Sequence, residues 1–179
     1  MVAQTTGRDL WVTWPEYHGL IEQLALQVHR SGFEFEQILC LARGGMRVGD
    51  VLSRLFRVPL AILATSSYRA AEGTEQGALN IAQYVTSAAG TLTGKVLLVD
   101  DLVDSGVTFS AVYAHLLRSY PAVTQIKTAV LWQKAHSVIQ PDFVVSVLKD
   151  NPWIHQPFEN YDSLTFDQLT EKWAPVPNK

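Results

Sequence analysis

The 179-residue sequence predicts an α/β fold built on a parallel sheet. Three observations carry that expectation. Short, continuously apolar runs such as ILCLA (Ile38 to Ala42) and VLLV (Val96 to Val99) read as strands buried on both faces. Segments with apolar residues at helical spacing alternate with these runs. Glycine-bearing turns follow two of the strands, after Ala42 and after Val99. Such alternation implies crossover connections, with helices covering both faces of a sheet of about five strands.

The elements follow in order. A helix is expected from about Trp14 to Ser31: Thr13 and Glu16 stand at capping-box spacing, Pro15 lies in the first turn, and Gly32 follows the end. Tyr17, Leu20, Ile21, Leu24 and Val28 form its apolar stripe. After the Ile38 to Ala42 strand, Val48, Val51, Leu52, Leu55 and Phe56 give a second helix, and Val58 to Leu63 the next strand. From Ala64 to about Asn80 the residues are small, polar and without periodicity, so a long functional or mobile loop is expected. A strand from Lys95 then runs into Asp104-Ser105-Gly106 and a helix that Pro121 prevents from continuing past about Tyr120. Ile126 to Trp132 and Phe143 to Val147 supply two more strands, and Thr165 to Lys172 has a weak helix signal.

Composition narrows the function. Apolar residues make up 47% of the chain and aromatics 10%, enough for a large core. Charged residues make up only 17% and the formal net charge is -3, which argues against nucleic acid as a partner. The single cysteine, Cys40, permits no internal disulfide and fits a reducing compartment; its place in a buried strand marks it as a core residue. The first residues show no charged start followed by an apolar run, and no stretch is long enough to span a membrane. A single cytoplasmic domain over residues 1–179 is expected, with a core at about 10–147 and a hood at about 148–179 to which the N-terminal residues can contribute.

The chemistry concentrates in Val96 to Thr108, VLLVDDLVDSGVT. A buried strand ends in two adjacent carboxylates, Asp100 and Asp101, and Asp104-Ser105-Gly106-Val107-Thr108 opens a helix four residues later. Unpaired amides at the helix start, the missing side chain of Gly106 and the Ser105 and Thr108 hydroxyls form a phosphate cradle. Carboxylates beside such a site repel phosphate unless they bond hydroxyls or hold a metal on the same ligand. The combination asks for a phosphorylated sugar. An isolated DSGVT would instead be read as a capped helix start. GTLTGKV (Gly90 to Val96) is one residue short of a P-loop and precedes a strand, and the five histidines show no metal-binding spacing.

VLLVDDLVDSGVT resembles the signature of the type I phosphoribosyltransferases, which bind phosphoribosyl pyrophosphate (PRPP). The likeness extends to ARGG (Ala42 to Gly45) as a pyrophosphate loop and SSY (Ser66 to Tyr68) as the start of a mobile lid. Lys134 and Trp153-Ile154-His155-Gln156-Pro157-Phe158 are similar to base-recognition elements of the purine branch. It covers roughly residues 10–160, with the motifs in order.

The resemblance implies the type I phosphoribosyltransferase fold and transfer of ribose 5-phosphate from PRPP to a purine base, with release of pyrophosphate and help from Mg²⁺. Asp100 and Asp101 would take the ribose hydroxyls, and Asp101 would also reach the metal. Asp104, Ser105, Gly106, Val107 and Thr108 would hold the 5-phosphate. Arg43 and Gly44 would present amides to pyrophosphate, at a point where relatives carry a non-proline cis peptide. The lid, Ser66, Ser67, Tyr68 and Arg69 onward to about Asn80, would exclude water, with Arg69 reaching pyrophosphate. Trp153 would stack on the base, the Ile154 backbone would read a ring edge, and Lys134 would donate to an exocyclic oxygen. That donor favours a 6-oxopurine: xanthine, guanine or hypoxanthine.

Asp104 is open to two roles by the same resemblance, general base near N7 of the purine or hydrogen-bond partner only. The chain departs from the family at Ala135, where proline commonly follows the lysine. A PRPP-sensing regulator without catalysis and an enzyme for another base are the alternatives. Relatives form dimers or tetramers, so a homo-oligomer is expected.

Overall fold

The structure, a computed structural model, describes residues 5–6, 9–69 and 76–174. Its elements in chain order are β1 (Thr5–Thr6), β2 (Asp9–Trp11), α1 (Trp14–Arg30), β3 (Gln37–Ala42), α2 (Gly45–Phe56), β4 (Leu60–Arg69), β5 (Gln76–Ile81) and β6 (Thr86–Ser87). There follow β7 (Gly94–Val99), β8 (Leu102–Val103), α3 (Val107–Ser119), β9 (Val123–Lys134), β10 (Phe143–Leu148), β11 (Trp153–His155), a 3₁₀ turn (Glu159–Asp162) and α4 (Phe166–Lys172). The described residues divide into two compact units, one running Gly19–Asn151 and one gathering the residues through His18 with those from Pro152 onward.

The larger unit is the expected α/β sheet. Its strands lie in the order β10-β9-β7-β3-β4-β5, and the first five are parallel. The central strands are the apolar runs: Ile38 to Leu41 and Val96 to Val99 are all buried. On α2, Val48, Gly49 and Leu52 turn inward. A side-chain carbon at Gly49 would lie 2.7 Å from Cβ of Cys40, so the helix crosses β3 at close range. On α3, Phe109, Val112 and Leu116 join Leu39, Leu63, Leu98 and Val130 in a continuous core. The helix expected from Trp14 opens with its capping box in place: the Thr13 amide and hydroxyl donate to Glu16 Oε2 at 2.9 and 2.7 Å. Those bonds hold the Glu16 carboxyl below the usual range.

One expectation is corrected. The stretch Ala64 to Asn80 is not an aperiodic loop throughout: β4 continues to Arg69 and pairs antiparallel with β5, Thr65 opposite Ile81 and Ser66 opposite Asn80. Backbone pairing satisfies the strand irrespective of side-chain pattern, and small polar residues tolerate an extended edge. The strand also begins at Leu60 rather than Val58, because Pro59 has no amide to donate; its carbonyl instead accepts from the Ile38 amide at 3.0 Å. Residues 70–75 of the expected lid, and the side chains of Ser67, Tyr68 and Arg69, lie outside the described residues.

The smaller unit joins the two ends of the chain. β2 pairs antiparallel with β1 and parallel with β11, so that Ile154 stands opposite Leu10 and His155 opposite Trp11. The rings of Trp11 and His155 stack with centroids 3.7 Å apart, and Asp9 Oδ1 lies 3.1 Å from His155 Nε2. α4 starts from a second capping box, in which the Gln168 amide donates to Thr165 Oγ1 at 3.3 Å and the Thr165 amide to Gln168 Oε1 at 2.9 Å.

Candidate active site

The strand order places a switch point between β3 and β7: the chain leaves β3 for β4 on one side, and β7 pairs with β3 on the other. Open α/β sheets bind ligands beyond the carboxyl ends of their strands at such a point. Both glycine-bearing turns open there. Ala42–Arg43 is a cis peptide bond without proline, followed by Gly44 and Gly45 at the start of α2. A side-chain carbon on Gly44 would lie 2.5 Å from Asp101 Oδ1, and one on Gly45 would lie 2.6 Å from the Val99 carbonyl oxygen and 2.9 Å from Cα of Asp100. The Arg43–Gly45 turn is therefore folded directly onto the acidic pair.

Burial and mutual repulsion shape that pair. Asp101 is 8% exposed; its Oδ1 accepts from the Leu102 amide at 2.8 Å, and its own amide donates to Asp100 Oδ1 at 2.9 Å. Loss of hydration, then the charge of Asp101, push the Asp100 carboxyl well above the usual carboxylate range, against the pull of the Asp101 and Gly45 amides. Desolvation and the charge of Asp100 also push the buried Cys40 thiol up to about 12, in keeping with a core role.

Beyond the pair, β8 keeps the chain on the sheet, with Leu102 opposite Trp132 and Val103 opposite Gln133. That register delivers Asp104 beside Lys134, the last residue of β9. Lys134 Nζ stands 3.4 Å from Asp104 Oδ2. His136, a residue that no motif had flagged, places Nε2 2.8 Å from Asp104 Oδ1. The Asp104 carboxylate thus meets a cationic or donor group at each oxygen.

The helix start is not capped by Asp104 or Ser105. Gly106 is the residue before α3, at φ 87° and ψ −5°, with no side-chain cap on the helix. Ser105 Oγ only reaches the Val107 amide at 3.4 Å. Gly106 is buried against the segment after β9: a side-chain carbon would lie 2.8 Å from Ile139 Cγ1 and 3.0 Å from Ser137 Oγ. Its glycine is thus required by positive φ and by the neighbouring loop, in addition to any close approach of a phosphate. Val107 is exposed and Thr108 half-buried at the open end.

A likeness to known proteins accompanies this geometry. The phosphoribosyl transferase domain family matches residues 13–163. The chain belongs to that family. It is 30% identical over 149 residues to a xanthine-guanine phosphoribosyltransferase of Gluconobacter oxydans, covering 83% of each chain. Among solved structures it resembles the xanthine-guanine-hypoxanthine phosphoribosyltransferase of Helicobacter pylori, with a TM-score of 0.69 and 25% identity over 87% of this chain and 99% of that one. A purine phosphoribosyltransferase of Pyrococcus horikoshii shares the fold, with a TM-score of 0.66 and 24% identity over 84% of this chain and 94% of that one.

Within this phosphoribosyltransferase, the larger unit brings together Arg43, Gly44, Asp100 and Asp101 at the switch point, and Asp104 through Thr108 with Lys134 next to it. Ser66 lies on the paired part of β4, its side chain exposed. Trp153 and Ile154 belong to the smaller unit: Trp153 is 47% exposed, and Ile154 is buried. Ala135 uses the amide that a proline would lack, donating to the Leu148 carbonyl at 3.1 Å. Among the described residues no helix is long and apolar enough to cross a membrane.

Proposed function

We propose that this chain transfers the 5-phosphoribosyl group of PRPP to a ring nitrogen of a 6-oxopurine (xanthine, guanine or hypoxanthine) and releases pyrophosphate. One observation carries the reading: a single strand delivers two carboxylates under the Arg43–Gly45 turn and, five residues on from Asp101, an uncapped helix start. Hydroxyls at one end of a sugar and a phosphate at the other are what such a strand and helix start can recognise.

The residues divide the work by charge. Asp100 and Asp101 accept hydrogen bonds from the ribose hydroxyls, fixing the sugar while positive charge develops at its anomeric carbon. The amides from Ser105 to Thr108 hold the 5-phosphate, and those of Arg43 and Gly44 hold the departing pyrophosphate. Little covalent work remains for the protein; positioning dominates. Asp104 faces the base, as acceptor of a ring N–H or as the base that removes its proton. Lys134 donates to the oxygen at position six, and Trp153 supplies a stacking face.

Mg²⁺ fits the donor chemistry, since Asp100 and Asp101 offer hard oxygens and Mg²⁺ is held by one or two carboxylates together with substrate phosphates and water. No three potential ligands converge among the described residues, so the protein would furnish part of the shell, Asp101 first. When bound, such an ion would supply positive charge against the pyrophosphate oxygens. The lone, buried Cys40 suits a cytoplasmic setting, and we expect a dimer or tetramer, to be read by sedimentation.

A pyrophosphate-release assay with PRPP, Mg²⁺ and a panel of bases tests the reading. Turnover is expected with guanine, xanthine or hypoxanthine and little with adenine, because a buried donor facing an amino group leaves both unpaired. Lys134→Met should depress all 6-oxopurine turnover and narrow the gap to adenine. A wild type that prefers adenine, or uses only pyrimidines, would defeat the purine assignment.

A further inference from the structure

Lys134 and Ser137 bracket a tight turn, closed by the Ser137 amide donating to the Lys134 carbonyl at 3.0 Å. Ala135 and His136 are its central residues. The turn is tied down on both sides: the Ala135 amide donates to Leu148 of β10 at 3.1 Å, and the Val138 amide donates to the Ser105 carbonyl at 2.9 Å. Ser137 Oγ adds a bond to the Ile139 carbonyl at 3.0 Å, and Gln133 Nε2 reaches the same carbonyl at 3.1 Å. A side chain at position 136 is therefore carried on a braced backbone against the phosphate loop.

From that turn the two cationic or donor groups approach one carboxylate unequally. The Lys134 contact to Asp104 Oδ2, at 3.4 Å, is longer than a charge-assisted hydrogen bond prefers, whereas the His136 contact to Oδ1, at 2.8 Å, lies within that range. The Asp104 side chain is 40% exposed, so its carboxylate is not fixed by packing alone. Without an Oδ1 partner it is free to rotate toward the ammonium.

Resting on the purine-transfer reading, we propose that His136 is a positioning residue for Asp104. Its Nε2–H donates to Oδ1 and sets the plane of the carboxylate, so that Asp104 keeps one acceptor directed at the ring N–H of the base. It also prevents Asp104 from closing fully onto Lys134, whose ammonium serves the oxygen at position six. The imidazole touches neither substrate; it acts through Asp104.

The test is steady-state kinetics on a 6-oxopurine with His136→Ala and His136→Gln, the second retaining a side-chain N–H donor. His136→Ala should lower kcat roughly ten- to a hundredfold, the scale of a hydrogen bond to a charged group, with the KM for PRPP and the melting temperature unchanged. His136→Gln should recover most of the loss. A wild-type rate in His136→Ala, or equal damage in both variants with a raised KM for PRPP, overturns the proposal. A second arm separates it from the purine reading: the ¹⁵N resonances of the His136 imidazole are compared between wild type and Asp104→Asn. If the wild type transfers to no purine, the functional reading fails and the role in transfer falls with it. In that case a resonance that moves with Asp104→Asn still establishes the pair, and one that does not move removes it as well.

Discussion

Gly44 lies over the carboxylate of Asp101 so closely that a single methyl group between them would sit 2.5 Å from Oδ1, 2.7 Å from Cγ and 2.8 Å from Oδ2. Gly44 has a φ of −56°, a value open to any residue. Space, not backbone conformation, is what requires glycine there. Gly44→Ala should therefore displace the Asp101 side chain, lowering PRPP affinity more than tenfold in calorimetry, at a stability cost of about 1–3 kcal/mol. Gly45→Ala meets backbone instead, the Val99 carbonyl at 2.6 Å. It should lose far more in thermal stability, because backbone in a central strand cannot step aside. Equal melting temperatures for the two variants would contradict this assignment of the contacts.

Asp100 gives a prediction with a definite sign. Its carboxyl holds its proton more tightly folded than unfolded. Below the unfolded value the group is neutral in both states and costs nothing. As pH rises above that value the unfolded chain gives up its proton first, and stability falls until the folded carboxyl has ionised too. Asp100→Asn should accordingly raise the melting temperature of the metal-free protein at about pH 8 and change it little at about pH 4, while lowering turnover. A stabilisation as large at the acid end as at the alkaline end would show that charge is not its origin.

Cys40 should behave as hydrocarbon. With no exposed surface and a thiol pushed up to about 12, it should resist a maleimide or aromatic disulfide at neutral and mildly alkaline pH until the protein unfolds. Labelling of the native protein at the rate of a free thiol would sink the claim. Cys40→Ser should be destabilising through a buried hydroxyl, and Cys40→Ala mildly so.

Trp153 is about half exposed on β11, and its proposed role is to stack on the base. Trp153→Ala should raise the KM for the base by the equivalent of about 1–3 kcal/mol and leave that for PRPP nearly untouched. Parallel increases in both would mark a structural tryptophan.

Local signals explain which parts of this molecule could be foreseen. The β7 strand and its acidic pair form one uninterrupted run, so the strand, the turn and the helix after it are written within thirteen residues. The capping box at Thr13 is equally local, whereas the one at Thr165 was legible only as a weak helix signal. The β4–β5 hairpin was not foreseen because its pairing is carried by backbone, under side chains without alternation. His136 carried no signal either. An isolated histidine in a turn has no periodicity, and its partner lies far back in the chain, brought within reach by the two-residue pairing of β8 with β9. Of β2 and β11, each three residues long and bonded across nearly the whole sequence, only a contribution of the N-terminal residues to the hood was legible, not the strand pairing itself.

That last pairing sets a timetable for the nascent chain. Asp9 and His155 are 146 residues apart, and a ribosome adding about 5–20 residues per second separates their emergence by roughly 7–30 s. The strands and helices from Gly19 to Asn151 are all synthesised before β11 exists, so the larger unit can collapse first. Throughout that interval β2 carries an unpaired edge, only three residues long and bearing the charge of Asp9, features that discourage pairing with a neighbouring chain. The brevity of this strand, a weakness for stability, is a protection during synthesis.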